Sequence, residues 1–468
     1  MLSIKFEKNT KAVSIRMTED KTSYFTGKEL VVGVGEQGKR TQRKNILIAR
    51  QVIEIAKQHN IKELAIDFKD FQLSGELLAT SFEMANYEFN VYKTLPQDRT
   101  LVETIAMQSA SKADQESFAR GQIIGEAVNA TRTLANTPPG LMTPSLLAEQ
   151  AQIAAKGTKV NVKVLDRDDM KILKMGAILG VAQGSTEEPK FIIAEYWGDI
   201  QGRTFKKSQG PTLGSQPIVL VGKGVTFDSG GLNLKPSEHI YEMHMDMSGG
   251  AAVIHAVIAA AKLGIKRNIV ALIPTVENMP SGSSYRPGDV LTSMSGQTIE
   301  ILDTDAEGRV ILADALSYAK RYNPQLVVDV ATLTSAAEAA LGQYASAIFS
   351  KDEKLIQTVQ KLGEASGDYV WPLPLWDEFE EGIRGTFGDW ANVGKKRRSG
   401  GAIDGAMFLY QFIRENPSSV DSGSPASRPA KWLHIDMAPR MTASEGEHLA
   451  KGAAGAPVRL LVKILESF

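Results

Sequence analysis

The run Ile218-Val219-Leu220-Val221-Gly222 constrains the fold more than any other part of the chain. It carries no polar side chain, so a strand formed here must be covered on both faces. A half-wet antiparallel strand would alternate apolar and polar residues instead. The flanking segments repeat the theme. Val160 to Leu165, Phe191 to Tyr196, Ile269 to Pro274 and Leu326 to Val330 read as strands, and Gly249 to Leu263 and Val310 to Tyr322 read as helices. Thr143-Pro144 opens a further helix, with Thr as N-cap and Pro in the first turn. This order predicts an α/β fold with a mostly parallel central sheet flanked by helices.

A smaller α/β unit precedes it. Glu29 to Val34 and Leu64 to Phe68 have strand character, and Asn45 to His59 has apolar residues at helical spacing. A helix-prone stretch, Ala113 to Leu134, ends at the turn formers Asn136-Thr137-Pro138-Pro139-Gly140, which mark a domain boundary. The chain therefore divides into an N-terminal α/β domain (1–112), a linking helix (113–135) and a larger C-terminal α/β domain (136–468), a partition that fits 468 residues. Residues 202–216 and 416–428 read as polar surface loops.

Lys plus Arg number 53 and Asp plus Glu 54, so the balance of charge does not indicate nucleic acid or an anionic membrane as partner. Cys is absent, which excludes disulfide scaffolds, thiolate metal sites and Cys nucleophiles. Charged residues interrupt the N-terminus before a signal sequence can form, and no run is long and apolar enough to span a membrane. These features predict a cytoplasmic protein. Gly33 to Gly38 fits a GxGxxG pattern, but Lys39, Arg40, Arg43 and Lys44 intervene before the helix, so it reads as a turn. The basic run Lys395 to Arg398 reads as a solvated loop, and His255 and His244 as packed residues.

Three segments place polar residues where a buried sheet should end, the usual position of ligand sites in open parallel sheets. The first, Val221 to Pro236, is glycine-rich and carries Lys223, Asp228 and Lys235. The second, Met243 to Gly250, carries Asp246. The third is Asp303-Thr304-Asp305-Ala306-Glu307-Gly308-Arg309. Five carboxylates converging in an apolar setting repel one another unless cations neutralise them. Oxygen-rich sites take divalent metals, and a metal pair can polarise a carbonyl and generate a nucleophile. The alternative is that each segment is a loop with helix caps, with Asp303 to Glu307 capping a helix that starts near Val310.

The third segment is similar to the signature NTDAEGR of the leucyl aminopeptidases (cytosol aminopeptidases), peptidase family M17. The resemblance runs from about Asn136 to the end. It also rests on Gly222 to Pro236, Glu277 to Gly282, Arg286 to Val290, Ala331 to Thr334 and Gly455 to Arg459. It implies a dinuclear-metal aminopeptidase that removes a Leu-like N-terminal residue from short unblocked peptides by attack of a metal-bridging hydroxide. It further implies Lys223, Asp228, Asp246, Asp305 and Glu307 as ligands of two divalent metals, Mn or Zn, with Lys223 neutral. Lys235 would stabilise the oxyanion, and Arg309 would hold a bicarbonate general base. Met243, Thr332, Ser335, Ala438 and Met441 would form or border the substrate pocket. A homohexamer, built as a dimer of trimers, is implied as well. Asp303 departs from the Asn of the signature, and Ser335 stands where many members have Gly. The competing readings are a catalytically silent scaffold on the same fold and a different metal hydrolase such as a phosphoesterase.

Overall fold

The computed structural model describes residues 2–7, 9–95, 99–198, 216–395, 400–414 and 430–468. Apart from Gln216, the loops expected at 202–216 and 416–428 lie outside the described residues, as does the basic run beyond Lys395. The chain forms two compact units, Met1–Thr133 with Thr442–Ala454, and Leu134–Met441 with Gly455–Phe468.

The first unit holds a six-stranded sheet in the order Ser3–Lys5, Thr104–Gln108, Glu63–Asp67, Val13–Thr18, Glu29–Gly33 and Tyr24–Phe25. All pairs are parallel except the last. Its core includes Leu30, Val32, Ile53, Leu64, Ile66 and Ile105. The glycines of the GxGxxG pattern do not open a helix. A short 3-10 turn, Gln37–Lys39, contains the third of them, Gly38, and the helix Gln42–Gln58 begins at its own N-cap, Thr41, whose hydroxyl accepts from the Lys44 amide.

The sequence reading kept all of 136–468 in one domain, whereas Thr442–Ala454 belongs to the first unit. The reason is a set of polar anchors. Buried Arg132 donates to the Ala453 and Ala450 carbonyls, both at 2.9 Å, and to the Met84 carbonyl at 2.8 Å. His448 pairs with Glu54.

The second unit is built on a nine-stranded mixed sheet. Eight strands run in the order Val370–Pro372, Ser346–Phe349, Lys431–Asp436, Leu326–Ala331, Ile218–Gly222, Asn268–Asn278, Lys190–Trp197 and Val160–Leu165. The ninth, Gly224–Asp228, pairs in parallel with the far end of Asn268–Asn278. The four central strands are mutually parallel, and antiparallel pairs lie toward both edges. All five residues of Ile218–Gly222 are buried, as a strand covered on both faces requires. Helices Ser248–Lys262 and Glu307–Ala319 both pack on it. Ile218–Gly222, Leu326–Ala331 and Lys431–Asp436 end at one level of the sheet, with Lys223 and Thr332 directly after two of those ends, while Asn268–Asn278 runs on to pair with Gly224–Asp228. No helix among the described residues is long and apolar enough to cross a membrane.

His255 is buried in the helix Ser248–Lys262, where its Nδ1 donates to the Ala251 carbonyl at 3.0 Å. Burial lowers its pKa to about 4, against about 6.5 in an unfolded chain. The native state holds a neutral ring while the unfolded chain takes up a proton. This contribution to stability is therefore complete above pH 6.5 and is lost as pH falls toward 4, to a total of roughly 3 kcal/mol. The pH dependence of Tm for His255→Leu, followed by circular dichroism, should be flatter than that of the natural chain between these limits. Parallel curves would refute the assignment.

Candidate active site at the strand ends

The site begins where Ile218–Gly222 stops. The Lys223 amide donates to the Val330 carbonyl at 3.0 Å, and the Lys223 carbonyl accepts from Gly250 at 2.7 Å. The main chain is thus fixed on both sides, and the side chain enters the space beyond the sheet. Gly308 makes room for it: a Cβ there would fall 2.4 Å from Lys223 Cε and 2.7 Å from Nζ. Past Asp228 the chain reverses through Gly230 and Gly231, with φ of +87° and +65°, a region that L side chains disfavour. That turn delivers Lys235 back toward Asp228.

Lys223, Asp228, Asp246 and Glu307 are each at most 3% exposed. Lys223 Nζ lies 2.8 Å from Asp246 Oδ1, 2.8 Å from Glu307 Oε1 and 3.1 Å from the Thr332 carbonyl. Lys235 Nζ lies 2.8 Å from Asp228 Oδ2 and 2.5 Å from Asp305 Oδ1. Asp228, Asp305 and Glu307 each offer an oxygen within 4.8 Å of the others. Asp246 joins this group through Lys223, and Thr332 Oγ1 donates to it at 2.6 Å.

Four carboxylates here face two ammonium groups. Burial, reinforced by the neighbouring acids, raises the pKa of Asp228 and of Asp246, and that of Asp305 to about 7. Glu307 is also disfavoured by burial, but Lys223 and Lys235 outweigh that and keep it ionised. Burial opposes the charge of Lys223, yet Asp246, Glu307 and Asp228 together hold its pKa above the ordinary range. The buried Glu307 Oε2 has no hydrogen-bond partner. A surplus of negative charge and an orphaned carboxylate oxygen in one buried cluster fit the donor set of a divalent cation.

The alternative reading, in which Asp303 to Glu307 cap a helix from near Val310, does not hold. The helix starts three residues earlier, at Glu307, and its N-cap, Ala306, makes no side-chain cap bond. Glu307 is therefore the first helical residue, with its carboxylate in the cluster. Asp303 neither caps that helix nor joins the cluster's ion pairs among the described contacts. Its Oδ1 accepts from the Asp305 amide at 2.9 Å and closes the turn. An Asn oxygen could make the same bond, so the departure from the signature adds a charge without changing this contact.

Arg309 is buried, and its Nη1 donates to the Asn392 carbonyl at 2.9 Å. Its Nε is buried without a hydrogen-bond partner. Of the expected pocket residues, Thr332 touches the cluster directly. Met243 lies one short turn before Asp246, its carbonyl accepting from the Asp246 amide at 3.4 Å. The Ala438 carbonyl accepts from the Met441 amide at 3.2 Å. Ser335 is exposed as the first residue of the helix Ser335–Leu341. His244 donates from Nδ1 to the Tyr241 carbonyl and stays outside the acidic cluster.

Two residues that carry this geometry were not singled out from the sequence. Asn278 Nδ2 donates to Asp228 Oδ1 at 2.8 Å and to the Thr304 carbonyl at 2.9 Å. The Asn278 carbonyl accepts from Ser229 Oγ at 2.7 Å. Asn392 Oδ1 accepts from the Leu302 amide at 2.8 Å, and its Nδ2 donates to the Asp303 carbonyl at 2.6 Å. Both amides hold main-chain turns that present the acids. Asn278 lies inside the noticed run Glu277 to Gly282, but no local spacing reveals what its side chain reaches.

Residues 129–462 match the model of the cytosol aminopeptidase family catalytic domain, and residues 19–96 match that family's N-terminal domain. A probable cytosol aminopeptidase of Nitrosomonas eutropha is 39% identical over 93% of this chain and 84% of its own length. One from an Azoarcus species is 38% identical over 97% of this chain and 87% of its own. Among solved structures, the bottromycin maturation enzyme BotP in complex with Mn superposes with a TM-score of 0.83. It is 29% identical and covers 98% of this chain and 99% of that one.

Asn278→Asp places an acid against Asp228 Oδ1 and the Thr304 carbonyl, which both need a donor. Groups that orient metal ligands are worth about 10- to 100-fold in affinity. Calorimetric titration with Mn should show a loss of that size, and unchanged affinity would refute the orienting role of Asn278.

Proposed function

The chain belongs to the cytosol aminopeptidase family, and on that premise we propose that it removes the N-terminal residue, Leu-like by preference, from short unblocked peptides. The observation that carries this reading is the buried acidic cluster at the strand ends, with Glu307 Oε2 left unpartnered. Lys223, Asp228, Asp246, Asp305 and Glu307 would hold two divalent ions, and the BotP structure, which contains Mn, favours Mn, with Zn as the alternative. When bound, the pair supplies Lewis-acid polarisation of the first peptide carbonyl and an activated water.

The remaining work falls to the chain. With the ions bound, Lys223 would serve as a neutral ligand through Nζ; without them Asp246, Glu307 and Asp228 keep it charged. Lys235 keeps its own: its side chain is 14% exposed, against 4% for Lys223, so it can meet substrate while bridging Asp228 and Asp305. Its ammonium is placed to stabilise the oxyanion that forms at the attacked carbonyl. Arg309 is steered by the Asn392 carbonyl, and its free Nε–H supports the binding of a planar bicarbonate that takes the proton from the attacking water. Met243, Thr332, Ala438 and Met441, with Ser335 at the border, would receive the first side chain. Their apolar or small character supports a Leu- or Met-like residue.

The proposal extends to a cytoplasmic location, in line with the names of the relatives, and to a homohexamer, a dimer of trimers, which the family resemblance implies. Sedimentation at equilibrium checks the assembly, and a monomer would overturn it. For the chemistry, Leu release from an unblocked Leu dipeptide should require Mn, and chelation should abolish it. The N-acetylated dipeptide should be inert, because its terminal nitrogen can no longer act as a ligand. Equal cleavage of both peptides would overturn the exopeptidase mechanism.

A further inference from the structure

Asp436 is the last residue of the strand Lys431–Asp436 and is completely buried. No Lys, Arg or His forms an ion pair with it among the described residues; buried Arg309 feels its charge from farther off, and what it touches directly is a ring of donors. Its Oδ1 accepts from the amides of Leu333 at 3.1 Å, Thr334 at 3.4 Å and Ala438 at 3.2 Å. Its Oδ2 accepts from Thr334 Oγ1 at 2.7 Å. Burying a carboxylate without a cation is costly, and several charge-assisted hydrogen bonds are what make it tolerable.

The donors come from two different loops. Leu333 and Thr334 follow the strand Leu326–Ala331, and Ala438 follows the strand Lys431–Asp436. The first loop is flanked by Thr332 and Ser335, and the second holds Ala438 and leads to Met441. These are the residues that the proposed function assigns to or beside the pocket for the first side chain. One carboxylate thus ties both walls together. The first wall is also joined to the cluster, since Thr332 donates to Asp246 and its carbonyl accepts from Lys223.

We propose that Asp436 is a positioning residue that sets the width of the first-residue pocket and with it the preference for Leu-like over smaller side chains. The inference rests on the aminopeptidase reading above. Discrimination by one methylene in an apolar pocket is worth about 10- to 200-fold, so a small displacement of either wall changes selectivity.

The test compares kcat and KM on unblocked Leu and Ala dipeptides, with Mn, for the natural chain, Asp436→Asn and Asp436→Ala. Asn keeps an acceptor for the three amides and turns its NH2 toward Thr334 Oγ1, which can accept. It should hold the Leu-to-Ala ratio of kcat/KM within about threefold. Ala removes every bond and should lower that ratio at least tenfold, chiefly through KM for Leu. A purely structural role would scale both substrates equally, and that result overturns the proposal, as does an unchanged ratio in Asp436→Ala. Thr334→Val removes the Oδ2 contact on this carboxylate together with the cap that Thr334 Oγ1 gives the Ala337 amide, and Thr334→Ser, which keeps both, should leave the ratio in place. Should Asp436→Ala fail to fold, Thr334→Val must move the ratio severalfold in the same direction or the proposal falls. A natural chain that releases neither residue overturns the aminopeptidase reading and this inference with it. A natural chain that is active with an unmoved ratio overturns this inference alone.

Discussion

Uncompensated negative charge at the ends of buried strands is the constraint on which the second unit is arranged. Asp228, Asp246 and Glu307 lie where water cannot screen them, and among the described residues two lysines pair with them and with Asp305. Such a cluster holds its shape only if each oxygen has an assigned partner. Much of the surrounding structure supplies those assignments. The glycines at 230 and 231 turn the chain so that Lys235 returns to Asp228. Gly308 leaves space for Lys223. Asn278, Asn392 and Thr332 fix acids or the turns that carry them. These residues do no chemistry themselves, but without them the acids would separate or take up protons.

The elements most legible in sequence were those whose burial is complete. Ile218–Gly222, buried throughout, has the bounds read from its sequence. A strand packed on both faces must be apolar throughout, so its ends are where polarity returns. The helix expected from Val310 begins at Glu307 because Glu307, Gly308 and Arg309 are recruited by the site. Polar residues at a helix start look like a cap when only the local pattern is visible. The strands Ser346–Phe349, Val370–Pro372 and Lys431–Asp436 were not read. The last of these ends on His434 and Asp436, buried polar residues that break the apolar pattern and find partners only in tertiary contacts. The same limit explains why the acids and lysines of the site were found while Asn278, Asn392 and Asp436 were not. The former stand out by charge and spacing, whereas the latter act through hydrogen bonds to residues 26 to 103 positions away.

Family membership settles less than it first offers. BotP shares this fold over almost its whole length and is named for maturation of bottromycin, whereas the bacterial relatives are named as cytosol aminopeptidases. A shared fold therefore carries different names, and function has to be argued from the site. What separates substrates at such a centre is the shape offered to the first side chain, and that shape lies in loops rather than in the sheet. The loops after Leu326–Ala331 and Lys431–Asp436 come from neighbouring parallel strands, so their starting points are fixed by the ladder between them. Beyond the ladder one main-chain bond, from the Met437 amide to the Ala331 carbonyl at 2.8 Å, still joins them, and side chains supply the other ties. A carboxylate suits this task better than an apolar contact, because it accepts from several amides at once and tolerates little displacement before a buried charge is left unpaired. The parallel sheet thus sets where the loops that carry Thr332 and Ala438 begin, while Asp436, at the end of their ladder, ties the two loops to each other.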